Sequence, residues 1–270
     1  MQTTARPATR IAIAGFGAIG QAVAKHLIDG IPGLALTAVG VRNHPAARAL
    51  LPDSVAVTDV GALAAMADII VECAPAAALP AIAGPALRAG RSVVVLSCGA
   101  LLESPDLVEL ARGYGGRILV PTGALLGLDA VTAAAEGTIH SVRMTTRKPP
   151  GGLAGAPHLV SHGIDVENLT EPLLVFKGTA REAARGFPAN VNVAAALSLA
   201  GIGADRTMVS IWADPAVTRN VHSIEVESDS ARFNLLIENV PSDNPRTGRI
   251  TALSVVALLR KLRSPLAVGT

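Results

Sequence analysis

The stretch Arg10–Gly20, RIAIAGFGAIG, holds three glycines at a spacing that can bind phosphate. Gly15 would allow a tight turn, Gly17 would let a phosphate approach bare backbone, and Gly20 would let a following helix pack closely. The first backbone N–H groups of that helix would hold the phosphates. They belong to the residues that follow the second glycine, Ala18 and Ile19.

The sequence on either side of this turn decides how it is interpreted. Ile11–Ala14 is a short apolar run typical of a strand buried on both faces, and Ala18–Leu27 has helical spacing. Three glycines alone are weak evidence, because glycines cluster in many loops. Between a strand and a helix they favour dinucleotide binding over an ordinary turn.

Arg42 bears on which dinucleotide binds. It follows a second predicted strand, Leu36–Val41, where the adenosine ribose of a dinucleotide is expected. An acidic residue there binds the 2′-hydroxyl of NAD, whereas arginine suits the 2′-phosphate of NADP. Arg42 could also be simply solvated, but its position favours a contact with phosphate.

His222 is the titratable residue in the most distinctive setting. In the strand-like segment VHSIEVES it should share a face with Ile224 and Val226, because alternate residues of a strand point the same way. A histidine on an apolar sheet face is usually a core residue with one hydrogen-bond partner. If the face meets a nicotinamide, however, imidazole can exchange protons near neutral pH as a general acid or base.

Asn190 and Asn192 are two residues apart at the start of a helix predicted over Phe187–Ala200, with Pro188 in its first turn. One amide could be a helix-start hydrogen bonder. Alternatively, the amides could bind a nicotinamide carboxamide or a substrate. The sequence leaves both interpretations open.

No spacing in the sequence indicates a metal site. His158 and His162 are four residues apart, but the glycines around them favour a loop. Cys98 follows a predicted buried strand and could be a nucleophile. A buried, inert thiol is the favoured interpretation, because no base or positive charge is adjacent to it in sequence.

Strands and helices alternate along the first part of the chain. Besides those around the glycines, we predict helices over Ala76–Ala89 and Pro105–Gly113, and strands at Val55–Val57, Asp68–Glu72, Ser92–Leu96 and Arg117–Val120. Such alternation predicts an α/β domain with a doubly wound parallel sheet, the Rossmann arrangement, with ligands at the carboxyl ends of the strands.

Near residue 125 the pattern changes. Ile139–Lys148 suits an antiparallel strand with one solvated face, and Pro149–Pro157 a mobile loop. Further strands are predicted at Leu173–Lys177 and, as a β-meander, at Met208–Trp212, Val221–Glu227 and Arg232–Glu238. A last helix over Arg246–Leu262 is expected to pack back on the first domain. We therefore predict a Rossmann domain (1–124), an α+β substrate and dimerisation domain (125–243) and a C-terminal helical segment (244–270).

Charge and composition exclude several classes of protein. A net charge of +2 with no basic run argues against a nucleic-acid partner. Apolar stretches are interrupted, so none predicts a membrane span, and the N-terminal MQTTARPATR lacks the apolar region of a signal peptide. Two cysteines form no disulfide framework, which favours a reducing compartment, the cytoplasm.

Five segments resemble the L-aspartate dehydrogenases, in that family's order along nearly the whole chain. They are GFGAIG, PTGALLGLDA, FPANVNVAAALSLAGIGADRT, ADP followed by RNVHSIEVE, and IENVPSDNP. The resemblance implies NAD- or NADP-dependent oxidative deamination of L-aspartate to iminoaspartate, which hydrolyses to oxaloacetate and ammonia. It also implies the reverse amination, a link to NAD biosynthesis and a homodimer. By position in these segments, it makes His222 the active-site histidine and Ala124 and Asn190 cofactor contacts.

Some questions stay open at this point. The candidate cations that could bind the two substrate carboxylates are Arg206, Arg219 and Arg246. The rival functions are another two-domain NAD(P)-dependent reductase, similar to dihydrodipicolinate reductase or a semialdehyde dehydrogenase, and a non-catalytic NADP(H) sensor.

Overall fold

The computed structural model describes residues 7–188, 191–242 and 248–270 of the 270-residue chain. These residues form two compact units. The first takes in the chain up to Ser97, then Glu103–Pro121 and Ala252–Ala267. The second comprises the described residues of Cys98–Leu102, Thr122–Thr251 and Val268–Thr270. Within the described ranges, no helix has the length and apolar character needed to cross a bilayer.

Strands and helices alternate up to residue 121. The strands are β1 (Thr9–Ala14), β2 (Leu34–Gly40), β3 (Ala56–Thr58), β4 (Ile69–Glu72), β5 (Ser92–Val95) and β6 (Arg117–Leu119). The helices are α1 (Ala18–Ile28), α2 (His44–Arg48), α3 (Leu63–Met66), α4 (Leu79–Arg88), α5 (Cys98–Leu102) and α6 (Pro105–Tyr114). Short 3₁₀ turns at Val60–Ala62 and Ala76–Ala78 lead into α3 and α4. Helix α5 is part of the second unit.

The six strands of the first unit form one parallel sheet in the order β3-β2-β1-β4-β5-β6. The strand order reverses between β1 and β4, and in such sheets ligands bind beyond the carboxyl ends of the strands at this switch point. The predicted doubly wound parallel sheet is confirmed. Its central strands are buried on both faces, as the apolar runs in their sequences predict.

The remaining elements follow Pro121. The strands are β7 (Ile139–Lys148), β8 (Leu173–Thr179), β9 (Thr207–Ala213), β10 (Asn220–Ser228) and β11 (Arg232–Asn239). The helices are α7 (Leu128–Ala135), α8 (Pro157–His162), α9 (Ala180–Gly186), α10 (Asn192–Ala200) and α11 (Ile250–Lys261). From Ala252 onward α11 belongs to the first unit, where Ala252, Val255, Val256 and Leu259 join the core around β1, β2 and α1. The prediction that the last helix packs back on the first domain is confirmed.

The second unit holds a five-stranded mixed sheet in the order β11-β10-β7-β9-β8. The predicted meander is wrong in one respect: β10 and β11 form an antiparallel hairpin, but β9 does not lie next to β10. The ten-residue β7 lies between them, antiparallel to β10 and parallel to β9. Consecutive strands are neighbours in only about two-thirds of cases. Here the connection from β9 to β10 crosses over β7, the longest strand.

Two local predictions also need correction. The helix predicted over Phe187–Ala200 begins only at Asn192, as α10, and Phe187 and Pro188 follow the end of α9 at Gly186 without being helical. His158 and His162 lie on a helix, α8, rather than in a loop. Proline occupies its first turn, and Gly163 ends it in the left-handed conformation, at φ +61°.

Candidate functional site

The glycine turn of the first unit connects β1 to α1. Gly15 has φ +95°, a conformation that favours glycine, and a Cβ there would lie 2.6 Å from the carbonyl oxygen of Cys73. A Cβ on Gly20 would collide with the carbonyl oxygen of Gly15. Two of the three glycines are therefore needed to seat the turn on β4 and to close α1 onto β1.

Gly17 differs from its two neighbours. It has an extended backbone, and no heavy atom lies within 4 Å of the position of a Cβ. It caps α1 without a side-chain hydrogen bond, and the first turn of α1 has no acidic residue. The helix start, with the N–H groups of Ala18 and Ile19, is thus open and unopposed by negative charge. This arrangement fits the pyrophosphate of a dinucleotide.

Arg42 follows β2, which pairs with β1 up to the last residue before the turn. Its side chain is exposed, and among the described residues it makes no hydrogen bond or ion pair. The next residue, Asn43, is used differently: its side chain accepts a hydrogen bond from Ala46 N and caps α2. Arg42 is therefore available to a ligand at this edge of the sheet.

His222 lies on β10 in the second unit, and the predicted face is confirmed: His222, Ile224 and Val226 are all buried, with His222 only 2% exposed. Thr146 is directly opposite on β7, and its Oγ1 is 3.1 Å from His222 Nδ1. Burial lowers the pKa of His222 to about 3, with a further contribution from the positive charge of Lys148. The imidazole is therefore neutral at physiological pH.

Lys148 is a residue that sequence reasoning missed. It lies two positions beyond Thr146 on β7, hence on the same face, and is only 3% exposed. A lysine is rarely buried so completely. The available signal was the two-residue period of IHSVRMTTRK, but its use required knowing that β7 pairs with β10 in this register.

The other predicted contacts are placed as follows. The backbone carbonyl of Ala124 accepts a hydrogen bond from Asn239 Nδ2 at 2.9 Å, which fixes this loop in the second unit. Asn190 lies outside the described residues. Asn192 begins α10, and its Oδ1 accepts from Gly99 N at 3.1 Å, so the amide ties α10 to α5.

The structure describes two of the three candidate carboxylate anchors. Arg206 precedes β9 and Arg219 precedes β10, and both side chains are exposed. Arg246 lies outside the described residues. Cys98 begins α5 and is buried. Among residues 7–188, 191–242 and 248–270, no three His, Cys, Asp or Glu side chains are grouped so that they could hold a metal ion.

Comparisons with known proteins give matches over both units. A family model described as "Aspartate dehydrogenase, C-terminal" matches residues 129–262, and one described as "Homoserine dehydrogenase, NAD binding domain" matches residues 15–121. An L-aspartate dehydrogenase from Bradyrhizobium diazoefficiens is 60% identical over 99% of this chain and 96% of its own. L-aspartate dehydrogenase 3 from Bordetella bronchiseptica is 57% identical over 96% of this chain and 97% of its own.

A solved structure is also similar over its full length. The crystal structure of aspartate dehydrogenase from Thermotoga maritima has a TM-score of 0.74 at 25% identity, and the match covers 97% of this chain and 99% of that one. The resemblance inferred from the sequence motifs is thus confirmed, and the parallel-sheet unit is an NAD-binding domain of the Rossmann type. The chain belongs to the L-aspartate dehydrogenase family.

Proposed function

We propose that this chain catalyses the NAD(P)-dependent oxidative deamination of L-aspartate and the reverse reductive amination. In the forward direction, L-aspartate, NAD(P)⁺ and water give oxaloacetate, ammonium, NAD(P)H and a proton, by way of iminoaspartate. The observation that carries the proposal is a buried, neutral histidine, paired with one hydroxyl, in a chain 60% identical to an L-aspartate dehydrogenase.

The first unit would hold the cofactor. The open helix start behind Gly17 would bind the pyrophosphate, with the N–H groups of Ala18 and Ile19 as donors. Arg42 would meet the adenosine ribose, and its charge supports use of NADP(H) at least as readily as NAD(H). When bound, the nicotinamide supplies the acceptor for the hydrogen on the substrate Cα. Ala124 and Asn190 are proposed as further cofactor contacts, on the family resemblance alone.

His222 would transfer protons. Because the imidazole is neutral at physiological pH, it has an unprotonated ring nitrogen to which the substrate ammonium, or the water that attacks iminoaspartate, would transfer a proton. This role requires the tautomer in which Nδ1–H donates to Thr146 Oγ1, 3.1 Å away, because Nε2 then carries the lone pair. The positive charge of Lys148, which is buried on the same face, would favour the binding of a negatively charged substrate.

The cellular setting is also a proposal. Two free cysteines support a reducing compartment, the cytoplasm. The family resemblance supports a homodimer and a supply of iminoaspartate to NAD biosynthesis. Exposed apolar side chains on the strands of the second unit, Leu174, Met208 and Leu236, would suit contact with a second copy.

The activity is tested by following NAD(P)H absorbance. L-aspartate should reduce both cofactors, oxaloacetate with ammonia should oxidise NAD(P)H, and D-aspartate and L-glutamate should react at least about a hundredfold more slowly. Reduction that depends on an aldehyde substrate and is blocked by a thiol reagent at Cys98 would support the semialdehyde dehydrogenase alternative. Tight NADP(H) binding without turnover of any amino or oxo acid would support the sensor alternative.

A further inference from the structure

A second buried titratable group, Glu72, lies in the first unit and has no part in the function proposed above. It is the last residue of β4, and its side chain is completely buried. Its carboxylate accepts four hydrogen bonds: Oε1 from Ala74 N at 3.1 Å and Ser97 Oγ at 3.0 Å, and Oε2 from Leu96 N at 3.1 Å and Ser97 N at 2.9 Å.

These four donors all lie beyond the ends of the strands. The pairing of β4 with β5 stops at Glu72 and Val95, so backbone hydrogen bonds of the sheet no longer join the two segments after that point. Beyond that point the carboxylate of Glu72 joins the two segments, because it accepts hydrogen bonds from Ala74 on one side and from Leu96 and Ser97 on the other. Glu72 thus holds together the two segments that leave the carboxyl edge of the sheet.

One of these segments supports the glycine turn. Cys73 N donates to Ala14 O at 2.8 Å, and the Cys73–Ala74 peptide lies so close to Gly15 that a Cβ there would be 2.8 Å from Ala74 N. Gly15 and Cys73 directly follow β1 and β4, the two strands on either side of the switch point. A shift of the Cys73–Ala74 peptide would therefore be transmitted directly to the turn.

The chemistry of the group matches this task. An ionised carboxylate is an acceptor with about four lone-pair directions and no donor, which suits four converging donors. A glutamine of the same shape would have one acceptor oxygen and would turn N–H groups toward donors. Burial raises the pKa of Glu72, while the hydrogen bonds from Ser97, Leu96 and Ala74 oppose that shift. Retaining an acid in such a costly position is consistent with a need for an acceptor of this geometry.

We propose that Glu72 is a positioning residue for the dinucleotide: it holds the segments after β4 and β5 so that the Cys73–Ala74 peptide supports the glycine turn in its binding conformation. The inference rests on the proposed cofactor site at that turn. It assigns Glu72 no contact with the reacting atoms. Its loss should weaken cofactor binding more than it slows the chemical step.

The test compares Glu72→Gln with Val93→Ala. Val93 is buried in the middle of β5, away from the carboxyl edge, so its truncation destabilises the same sheet without removing a donor to the Glu72 carboxylate. NADPH affinity is measured by fluorescence titration, with thermal unfolding and steady-state kinetics alongside. For Glu72→Gln we expect the Kd of NADPH and the KM of NADP⁺ to rise about tenfold or more, and kcat at saturating cofactor to stay within about threefold. Val93→Ala should lower the Tm yet keep the wild-type Kd.

A Kd for Glu72→Gln within twofold of the Val93→Ala value would overturn the proposal. If Glu72→Gln does not fold, Ser97→Ala replaces it: this removes the hydroxyl donor and leaves the three backbone donors, and should raise the same Kd about two- to fivefold. An unchanged Kd in folded Ser97→Ala would then overturn the proposal. Wild-type protein that binds neither NADPH nor NADH would instead refute the cofactor site itself, and the two failures are thus distinguishable.

Discussion

The two units each bury a titratable group near a candidate site, and the two groups are used in opposite ways. Glu72 accepts four hydrogen bonds through both carboxylate oxygens. The His222 ring has one hydrogen-bond partner among the described residues, the hydroxyl of Thr146, at Nδ1. A carboxylate whose lone pairs all accept hydrogen bonds from fixed donors is suited to holding the backbone rather than to acting as a base. A neutral imidazole with a nitrogen to spare can accept a proton. The number of partners, rather than burial alone, separates a positioning group from a candidate base.

The sites around these groups also differ in what they are made of. The turn of the first unit is built from backbone, and its requirements are local: a left-handed glycine, an open glycine and a close contact between helix and strand. The face of the second unit is built from side chains on β7 and β10, which are brought together only by the pairing of the two strands. We therefore expect substitutions in the second unit to affect chemistry and those in the first to affect binding.

The largest effect is expected for His222→Asn. Asparagine is similar in size and can keep a hydrogen bond to Thr146, but it cannot carry a proton near neutral pH. Turnover of L-aspartate should fall by about two to four powers of ten, while folding and NADPH affinity stay close to wild type. His140→Asn, the same change at an exposed site on β7, is the matched control and should leave turnover unchanged. Near wild-type turnover in folded His222→Asn would refute the catalytic role. Loss of the fold would favour the core-histidine alternative.

The lowered pKa of His222 predicts a pH-dependent contribution to stability. In the folded chain the group stays neutral down to about pH 3, whereas in the unfolded chain it takes up a proton below about 6.5. Between these values the unfolded state binds more protons, so the free energy of unfolding should fall as the pH is lowered. The loss is at most about 1.4 kcal/mol per pH unit, and no loss from this group is expected above pH 6.5.

This contribution is measured as a difference. Denaturant unfolding of wild type and His222→Asn from pH 7.5 to pH 4.5 removes the effect of groups common to both proteins. As the pH is lowered, the free energy of unfolding should fall more in the wild type than in the variant. The two curves should begin to diverge only below about pH 6.5. Parallel curves throughout this range would show that the folded pKa is close to the unfolded value. The low folded pKa of His222 also bears on the kinetics. Protonation of this group should not lower kcat/KM of the wild type near pH 6.5, so replacing it with asparagine should remove no titration from the profile at that pH.

The local character of each site explains how much the sequence could predict. The turn, the parallel sheet and the face shared by His222 and Ile224 depend on spacing within a few residues, and these predictions are confirmed. The pairing of Thr146 with His222 joins residues 76 apart, and that of Glu72 with Ser97 residues 25 apart. No short-range pattern encodes either contact. In the segment DIIVE, Asp68–Glu72, the sequence alone indicates only that Glu72 is a polar residue at the end of a strand.

The predictions of a β-meander and of a loop around His158 and His162 are wrong for related reasons. The segments of β9 and β10 have the right composition for neighbouring strands, but their order in the sheet depends on where β7 inserts. In α8 the flanking glycines suggested a loop. The structure instead stacks His158 on His162, with ring centroids 4.1 Å apart, and packs His158 against Phe176 and Phe187. Tertiary contacts stabilise a helix that local propensity does not predict.

A binding effect is expected for Gly17→Val. The position has room for the side chain and no unusual backbone, so the first unit should fold normally. The branched side chain would nevertheless occupy the space through which the pyrophosphate approaches the backbone. We expect the Kd of NADPH, measured by calorimetry, to rise at least about tenfold. Gly61→Val, at another open and exposed glycine of the same unit, is the control and should not change it. Unchanged binding in Gly17→Val would remove the turn from the cofactor site.

The smallest effect is expected for Arg42→Asp, and it should appear as a change in preference rather than a loss of binding. A carboxylate repels the 2′-phosphate of NADP(H) and can accept a hydrogen bond from the 2′-hydroxyl of NAD(H). Because Arg42 is exposed, solvent screens part of the charge reversal, so we expect the ratio of the two Kd values to shift about tenfold toward NAD(H). Arg88→Asp makes the same change in net charge at the exposed end of α4 and controls for long-range electrostatics. Fluorescence titration with NADPH and NADH at two salt concentrations measures the ratio. An equal loss for both cofactors would show that Arg42 contacts something other than the 2′ position. Kd values for NADPH and NADH that both equal those of Arg88→Asp would show that Arg42 contacts neither cofactor.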